Sequence, residues 1–275
     1  MTVPHFHITE SIRNTDSYCA SCEADSIELT LEKDIVTHMH SLRMDKGERF
    51  VLVDPRGHAS TYELCEAPPR IPQKKESDPT VRVKLCAYEV YERTTFLTLV
   101  QGISTADRMD QTVRQTTELG VAQIIPLQSA RVTVRLVDAV ARSQKQERWQ
   151  RIARSAAEQA TCAFVPSVKR PCNLTEALAA VADHDVLVVA WEECDEGGIR
   201  ELMEQYDTEG RRLRVALFVG PEGGFEPFEI EQMRTAGAKP ISLGATVLRT
   251  ETAAVVASAL VIHELGGLGR RSQNQ

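Results

Sequence analysis

Two glycine-containing loops near the carboxyl end of the chain carry most of the residues that could do chemistry. The first loop, residues 220–225, reads GPEGGF and follows the apolar run VALFV. The second loop, residues 243–253, reads LGATVLRTETA and leads into a nearly all-apolar helical segment. Glycine permits positive φ and lets a ligand approach backbone amides without a Cβ in the way. The two loops are therefore compatible with a site for a nucleoside-like ligand.

Neither loop matches a common nucleotide-binding fingerprint. The chain has no GxGxxG that opens a first βαβ unit, no GxxxxGK[ST] and no GxSxG. A dinucleotide-binding fold, a P-loop and a serine nucleophile elbow therefore have no support. A structural role also fits the start of the last helix, with Thr250 as its N-cap and Glu251 favouring the helix dipole.

After Phe96 the chain alternates between apolar runs and helical patterns, which predicts an α/β fold with a mostly parallel sheet and helices on both faces. Such sheets bind ligands beyond the carboxyl ends of their strands, where both loops would lie. Asp107 and Asn173 are predicted N-caps, and Gly120 is predicted to end the first of these helices. The predicted strands are 96–102, 121–127, 185–190, 213–220 and 240–243, and the predicted helices are 107–119, 137–160, 173–182, 198–206, 226–236 and 250–265.

The first 92 residues or so favour a small β-rich domain. Four short runs show partial period-two alternation, at residues 26–31, 49–54, 60–65 and 81–88, and one helix is predicted at 33–41. Residues 67–79 contain four prolines and several charges, which exclude a regular strand or helix. That segment is either a loop within the domain or a linker; we favour the loop and place the domain boundary near residue 93.

Composition and charge exclude some classes of protein. The net charge of −7 and the pI near 5.6 argue against a generic nucleic-acid coat, whose affinity comes from neutralising phosphates. A local basic patch is still possible, although a solvated helix face explains the same residues equally well. The candidate patch consists of Arg131, Arg135, Arg142, Lys145, Arg148, Arg151 and Arg154.

The seven cysteines are an odd number in a chain of 275 residues, too large to need a disulfide framework, so we expect reduced thiols. Cys19 and Cys22 could form a zinc site together with His5, His7, His38 or His40, but free cysteines in a polar loop are the simpler interpretation. The sequence has no apolar run of about 18 residues and no leader-like amino terminus, so we expect a cytoplasmic location.

The motifs taken together resemble one known family. FVGPEGGFEPFEIEQM at 218–233 and ISLGATVLRTETAA at 241–254 are similar to the family of ribosomal RNA small subunit methyltransferase E, which methylates N3 of a uridine in 16S rRNA. Further matches are DRMDQTVRQTTELGVAQIIPLQSARV at 107–132, RWQRIARSAAEQ at 148–159 and AWEE at 190–193. LRMDKGERFVLVDPRG at 42–57 resembles that family's first domain. The resemblance covers nearly the whole chain in order.

The resemblance implies a fold, a cofactor and partners. It implies that residues 1–92 form an RNA-binding PUA-like β-barrel and that residues 93–275 form a methyltransferase domain of the SPOUT class, with a trefoil knot near its end. It further implies S-adenosylmethionine as cofactor, 16S rRNA or the small ribosomal subunit as substrate, and a homodimer. Neither a metal nor a membrane is implied.

The same resemblance places the site residues on the two loops. Arg249 would stabilise charge on a uracil carbonyl, anchor the cofactor's carboxylate or neutralise Glu251, and Glu222 or Glu251 would accept or relay the proton of N3. RNA contacts are expected from Arg43, Arg56, Arg108 and Arg131. Cofactor contacts are expected from Val219, Gly220, Pro221, Glu222, Gly223, Gly224, Leu243, Gly244, Val247, Leu248, Thr252 and Ala253.

The chain also departs from the family's usual pattern outside the two loops. Gln115 stands near a usual lysine, Cys162 and Phe164 stand near usual arginines, and Thr37 stands near a usual histidine. These departures bear on RNA contacts rather than on binding of the methyl donor. Two alternative functions stay open: a knotted methyltransferase that modifies another base or a ribose, and a non-catalytic RNA-binding protein with the same fold.

Overall fold

The polypeptide divides into two units that bury separate hydrophobic cores. The first unit contains residues 1–92 and 158–164, and the second contains residues 93–157 and 165–275. Residues 158–164 thus belong to the first unit, although the sequence places them beside segments of the second. The computed structural model describes residues 3–9, 26–70, 78–105, 107–195, 197–206 and 212–268.

The described part of residues 1–92 contains a five-stranded sheet and the helix α1 (Lys33–Ser41). Its strands are β1 (His5–His7), β2 (Ile27–Thr30), β3 (Arg49–Val53), β4 (His58–Leu64) and β5 (Thr80–Val90). They lie in the order β1-β3-β4-β5-β2, with β1 parallel to β3 and the other neighbours antiparallel. Strand β1 was not predicted, because three residues are too few to show a period-two pattern.

Strand β3 is buried on both faces of this sheet. Phe50 and Leu52 pack into the main core of the unit, whereas Val51 and Val53 pack with Ala59 in a smaller cluster. Successive side chains of a strand point to opposite faces, so an uninterrupted apolar run is needed here. Among the described residues β1 and β2 form the two edges and do not pair with each other. Closure of the unit into a barrel therefore stays a prediction.

The second unit contains a six-stranded sheet in the order β11-β9-β10-β6-β7-β8, in which every described pair of strands is parallel. The strands are β6 (Phe96–Gly102), β7 (Gln123–Leu127), β8 (Ser167–Val168), β9 (Val186–Ala190), β10 (Arg214–Val219) and β11 (Lys239–Ile241). The helices are α2 (Asp107–Leu119), α3 (Ala139–Gln159), α4 (Leu174–Ala180), α5 (Ile199–Met203), α6 (Pro227–Thr235) and α7 (Thr250–Glu264). The predicted elements are confirmed with small shifts at their ends, and only β8 was missed.

Alternate residues of the central strands enter two different cores. Leu97 and Leu99 of β6 pack with Leu217 of β10 on the side covered by α2, α3, α5 and α7. Val100 and Phe218, from the same two strands, pack on the side covered by α4 and α6. The predicted parallel sheet with helices on both faces is therefore confirmed, and it explains why the central strands are mostly apolar on both faces.

Local signals at helix ends were read correctly at two positions and wrongly at a third. The Asn173 side chain accepts a hydrogen bond from the third residue of α4 in a reciprocal capping box, as predicted. Gly120 follows α2 with φ +93°, the left-handed conformation that ends helices. Asp107, however, is the first residue of α2 rather than its N-cap. An aspartate there still favours the helix dipole, so the residue type alone does not distinguish the two positions.

Two predictions fall outside the described residues. Cys19 and Cys22, the candidate zinc pair, lie in the range 10–25, and most of the proline-rich segment lies in the range 71–77. Among the helices of the described ranges, none has the length and apolar character needed to cross a membrane.

The capping box at α4 gives a first test of the fold. We expect Asn173→Ala to destabilise the protein by about 1 kcal/mol, since the orphan N–H groups at the helix start lose their acceptor. Asn173→Ser keeps a capping oxygen and should remain close to the wild type. Urea unfolding followed by circular dichroism measures the difference. Equal destabilisation of the two variants would show that the cap does not stabilise α4.

Candidate functional site

A cavity of about 380 Å³ lies beyond the carboxyl ends of β9, β10 and β11. The strands reach the same level because Ala190, the last residue of β9, pairs with Val219 on one side and Ile241 on the other. All three strands run parallel, so the segments that follow them leave the sheet at one edge. The cavity volume lies in the range of roughly 300–1,000 Å³ that is usual for small-molecule sites.

Most of the predicted cofactor contacts line this cavity. Those that do are Val219, Gly220, Pro221, Glu222, Gly224, Leu243, Gly244, Val247, Leu248 and Ala253, together with the predicted catalytic residues Arg249 and Glu251 and the predicted RNA contact Arg108. Gly223 and Thr252 were also expected there, but they are absent from the lining.

Sequence reasoning missed a third segment of the cavity wall. Ala190, Trp191 and Glu192 follow β9 and line the cavity with the two loops. Ser242, Ala245, Thr246 and Thr250 of the second loop were missed as well. The third segment follows the end of an apolar strand, which is a typical place for ligand-binding residues in such sheets. The order of strands along the chain did not show, however, that β9 lies between β10 and β11, next to the two loops.

In the first loop, Gly224 is the glycine whose backbone conformation and close neighbour both disfavour a side chain. Gly224 has φ +69°, and a Cβ at this position would lie 2.4 Å from the Glu192 carboxylate. Gly223 has no positive φ, and its Cβ would point to the side chain of Arg131 at 3.1 Å. A contact between Gly223 and the cofactor stays a prediction, but a Cβ at this position would face Arg131, and Gly223 does not line the cavity.

Glu222 connects the first loop by hydrogen bonds to Thr105, which precedes α2, and to Arg108 in α2. Its Oε1 accepts hydrogen bonds from the Thr105 N–H and hydroxyl, each at 2.8 Å, and from Arg108 Nη1 at 3.1 Å. Partial burial alone would raise the pKa of Glu222, but the hydrogen bonds from Thr105 and Arg108 outweigh it and lower that pKa. A carboxylate with a lowered pKa is a weak base, so Glu222 is a poor candidate for the proton acceptor.

Arg131 holds the same loop from another side. Its guanidinium forms a bidentate ion pair with Glu226, at 2.8 and 3.1 Å, and donates to the carbonyl of Gly223 at 2.9 Å. Arg131 and Arg108, both expected to contact RNA, are thus engaged in ion pairs that fix the loop. The other two expected contacts, Arg43 and Arg56, are exposed side chains of the first unit.

The second loop joins the first through Thr250. The hydroxyl of Thr250 donates a hydrogen bond of 2.5 Å to the carbonyl of Gly220. Arg249 is the N-cap residue of α7, and Thr250 is the first helical residue. The predicted N-cap role of Thr250 is wrong because its hydroxyl bonds to the neighbouring loop instead of to its own helix.

Arg249 and Glu251 are two charged residues of the cavity wall whose side chains make no ion pair within the described residues. Arg249 is exposed, and its side chain makes no hydrogen bond or ion pair with any described residue. The interpretation that it neutralises Glu251 is therefore wrong. Glu251 is only 9% exposed, and its Oε2 is buried without a hydrogen-bond partner among the described residues. Buried carboxylate oxygens are costly unless paired, so Glu251 suits a cationic or proton-donating ligand group.

The cavity thus combines apolar walls with charges of both signs. Val219, Leu243 and Leu248 provide apolar surface, and within the described part of the chain the backbone N–H groups of residues 245–249 make no hydrogen bond. This set suits a ligand with a flat apolar ring, positive groups and a carboxylate. No group of three or more His, Cys, Asp or Glu side chains in the described ranges is placed to hold a metal ion.

Comparison with known proteins identifies relatives of this chain. Residues 92–262 match the family model of the RNA methyltransferase domain. The chain is 29% identical over 244 residues to ribosomal RNA small subunit methyltransferase E of Bacillus subtilis (strain 168), covering 88% of this chain and 91% of the relative. It is 28% identical to the protein of that name from Aquifex aeolicus (strain VF5), covering 82% and 90%.

Solved structures agree over nearly the full length. A ribosomal RNA small subunit methyltransferase E from Neisseria gonorrhoeae, bound to S-adenosyl methionine, has a TM-score of 0.74 at 28% identity and covers 95% of this chain and 98% of its own. A methyltransferase from Legionella pneumophila, in complex with the cofactor SAM, has a TM-score of 0.77 at 26% identity, with coverage of 96% and 98%.

The lowered pKa of Glu222 predicts a pH-dependent contribution to stability. Its ordinary value is 4.5, so the hydrogen-bonded carboxylate stabilises the fold above that pH, and the stabilisation is lost as the pH falls through the lower, folded-state pKa. We expect Glu222→Gln to lower the Tm by about 2–4 °C at neutral pH. The difference from the wild type should shrink as the pH falls below about 4.

Thermal melts across this pH range measure the effect. Glu231→Gln is the matched control, since the Glu231 side chain is exposed and makes no hydrogen bond or ion pair within the described residues. A Tm difference for Glu222→Gln that stays constant with pH would contradict the assigned role.

Proposed function

Because the chain belongs to the RNA methyltransferase domain family, we propose that it transfers a methyl group from S-adenosylmethionine to N3 of a uridine in small-subunit ribosomal RNA. The class of reaction is supported by the family match and by relatives named ribosomal RNA small subunit methyltransferase E. The choice of uridine N3 rests on the GPEGG and LRTETA motifs. The observation that carries the proposal is that these two motifs meet at one cavity.

The cavity suits S-adenosylmethionine. That molecule carries positive charge on its sulfonium and ammonium groups, and Glu192 and Glu251 line the cavity as carboxylates that would attract them. Its adenine ring would be held between apolar side chains such as Leu243 and Leu248. The N–H groups of residues 245–249 would donate hydrogen bonds to ring nitrogens. When bound, the cofactor supplies an electrophilic methyl group.

The charges that remain available suit the chemistry at N3. Methylation forms a bond from N3 to the methyl carbon, breaks the bond from that carbon to sulfur and releases the imide proton of the base. Glu251, whose Oε2 is buried without a partner among the described residues, accepts this proton directly or through one water molecule. Arg249 donates hydrogen bonds to a uracil carbonyl, where negative charge develops. Glu222 keeps its structural contact with Thr105 and Arg108.

The first unit supplies RNA affinity in this proposal. Arg43 and Arg56, both exposed there, would contact phosphates, which position the RNA without reading its bases. The second unit has the trefoil knot and forms the dimer that the resemblance implies. The support for the knot and the dimer is the resemblance of the GPEGG and LRTETA motifs to that family.

The proposed product can be tested in cells. Nucleoside mass spectrometry of small-subunit rRNA from a strain that lacks the gene should show the loss of 3-methyluridine, and expression of the wild-type chain should restore it. Loss of a different methylated nucleoside would show another target base or ribose. An unchanged set of methylated nucleosides would favour a non-catalytic RNA-binding protein.

The turn at Gly224 predicts a selective loss of cofactor binding. An L-residue costs about 1–2 kcal/mol in the left-handed conformation of this turn. Conformations that relieve the strain move the loop out of the arrangement that lines the cavity. We therefore expect Gly224→Ala to weaken S-adenosylmethionine binding about tenfold. Gly237→Ala is the control, because Gly237 also has a positive φ, of +95°, and open space around its Cβ position, but does not line the cavity. Isothermal titration measures both variants. Similar dissociation constants for the two would contradict the assignment.

Because Arg249 makes no side-chain hydrogen bond or ion pair with the described residues, its replacement should affect catalysis and leave stability unchanged. We expect Arg249→Ala to lower kcat by about 100- to 1,000-fold, comparable to removing one oxyanion donor, with little change in cofactor affinity. Lysine should rescue only in part because it lacks the planar guanidinium fork. Steady-state kinetics with rRNA and thermal melts measure the two effects. A kcat close to that of the wild type would eliminate the catalytic role.

A further inference from the structure

A buried glutamine lies directly behind the place where the two loops meet. Gln101 is the penultimate residue of β6 and is fully buried, at 0% exposure. In the sheet it pairs with Val219, the last residue of β10 before the first loop. Gln101 does not line the cavity, so it makes no direct contact with the proposed ligand. Buried amides are costly unless they are hydrogen-bonded, so the partners of Gln101 indicate its role.

The amide nitrogen of Gln101 joins three parts of the chain. Its Nε2 donates to the hydroxyl of Thr250 at 2.9 Å, to the carbonyl of Gly102 at 2.9 Å and, more weakly, to the carbonyl of Gly220 at 3.4 Å. The Thr250 hydroxyl in turn donates to Gly220 at 2.5 Å. Together these bonds connect the end of β6, the first loop and the start of α7, although Gly220 and Thr250 are 119 and 149 residues away in sequence.

The arrangement requires a donor at this position. Every described partner of the amide is an acceptor, while Oε1 of Gln101 is buried and has no hydrogen-bond partner among the described residues. The reversed amide would place its oxygen against two carbonyl oxygens. The end of β6 also lies directly against the first loop, because a Cβ on Gly102 would lie 2.4 Å from the backbone nitrogen of Pro221. The loop and the strand end therefore have little freedom to move apart while these bonds hold.

We propose that Gln101 is a positioning residue that couples the two loops, so that the first loop and the start of α7 keep one fixed register around the cavity. The identity of the ligand rests on the proposed function, but the coupling of the loops does not. Gln101 acts through Thr250 and Gly220, whose backbone leads directly into Arg249 and Pro221. A role limited to filling the core would require only the volume of the side chain, which methionine matches closely.

Three variants separate these roles. Gln101→Met keeps the length of the side chain and removes the donor. Gln101→Glu keeps the shape and donates only when its carboxyl group is protonated. Gln150→Met is the matched control, because Gln150 also spans two backbone groups, donating to Pro166 O at 3.0 Å and accepting from Val168 N at 2.8 Å, but lies away from the cavity.

The first measurement is amide hydrogen exchange of the full chain without cofactor. We expect Gln101→Met to speed exchange at residues 220–224 and 249–253 by about tenfold, the effect of losing one or two buried hydrogen bonds. Gln150→Met should speed exchange near 165–169 and leave both loops unchanged. Wild-type exchange rates in the loops of Gln101→Met, or equal acceleration of these loops in both variants, would overturn the proposal.

The second measurement is isothermal titration with S-adenosylmethionine. We expect Gln101→Met to weaken binding about tenfold to a hundredfold, since unsatisfied buried acceptors favour separated loops, while Gln150→Met binds as the wild type does. Affinity of Gln101→Glu, relative to the wild type at the same pH, should fall about tenfold between about pH 5.5 and pH 8, because the ionised carboxylate repels the two carbonyl groups. The wild type is the reference because it contains the same ionisable neighbours, Glu222 and Glu251.

The outcomes distinguish this inference from the proposed function. Affinity of Gln101→Met within twofold of the wild type, or a pH profile for Gln101→Glu that matches the wild type, would overturn the positioning role. Failure of the wild type to bind S-adenosylmethionine would count against the proposed function, and the exchange comparison would still decide whether Gln101 couples the loops.

Discussion

The parallel register of three strands is the constraint on which the rest of this structure depends. Ala190 pairs with both Val219 and Ile241, so β9, β10 and β11 end at one level, and the segments that follow them are forced to share one edge of the sheet. The side chains on the two faces of the central strands are buried in two separate cores, so a change of register would disrupt the packing of both. The cavity lies at this edge because the three strands end there, and the loops that follow the strands form its walls.

Some charged residues around this edge stabilise the loops, and others are available to take part in the proposed reaction. Glu222 and Glu226 are each held by an arginine and hydrogen bonds, and they fix the glycine-rich loop, Glu222 at the cavity wall and Glu226 outside the lining. Arg249 and Glu251 face the cavity without partners among the described residues. Fixed dipoles and charges that need no rearrangement during the reaction are the usual source of electrostatic catalysis. The same glutamates could not serve both purposes, because an ion pair that anchors a loop also lowers the basicity of its carboxylate.

Periodicity and local signals predicted much of the fold, because they depend on neighbours in sequence. The boundaries of β6 and α2, the cap at Asn173 and the end of α2 at Gly120 follow from such signals. The site was predicted less completely. Trp191 and Glu192 line the cavity only because β9 lies between β10 and β11, and Thr250 bonds to Gly220 only because the two loops meet. Contacts of this kind depend on tertiary structure, and no pattern within one segment contains them. The resemblance to a known family identified the two loops, but it did not distinguish Gly224 from Gly223.

The central claim is that the edge formed by β9, β10 and β11 binds S-adenosylmethionine. Amide hydrogen exchange of the wild-type chain, with and without saturating cofactor, tests this claim most directly because it reports on each segment separately. The structure predicts slower exchange on binding at residues 190–192, 219–224 and 242–253, the segments that contain the cavity-lining residues, and no change in the strands of the first unit. Binding that leaves these three segments unaffected, or that protects only the first unit, would contradict the account.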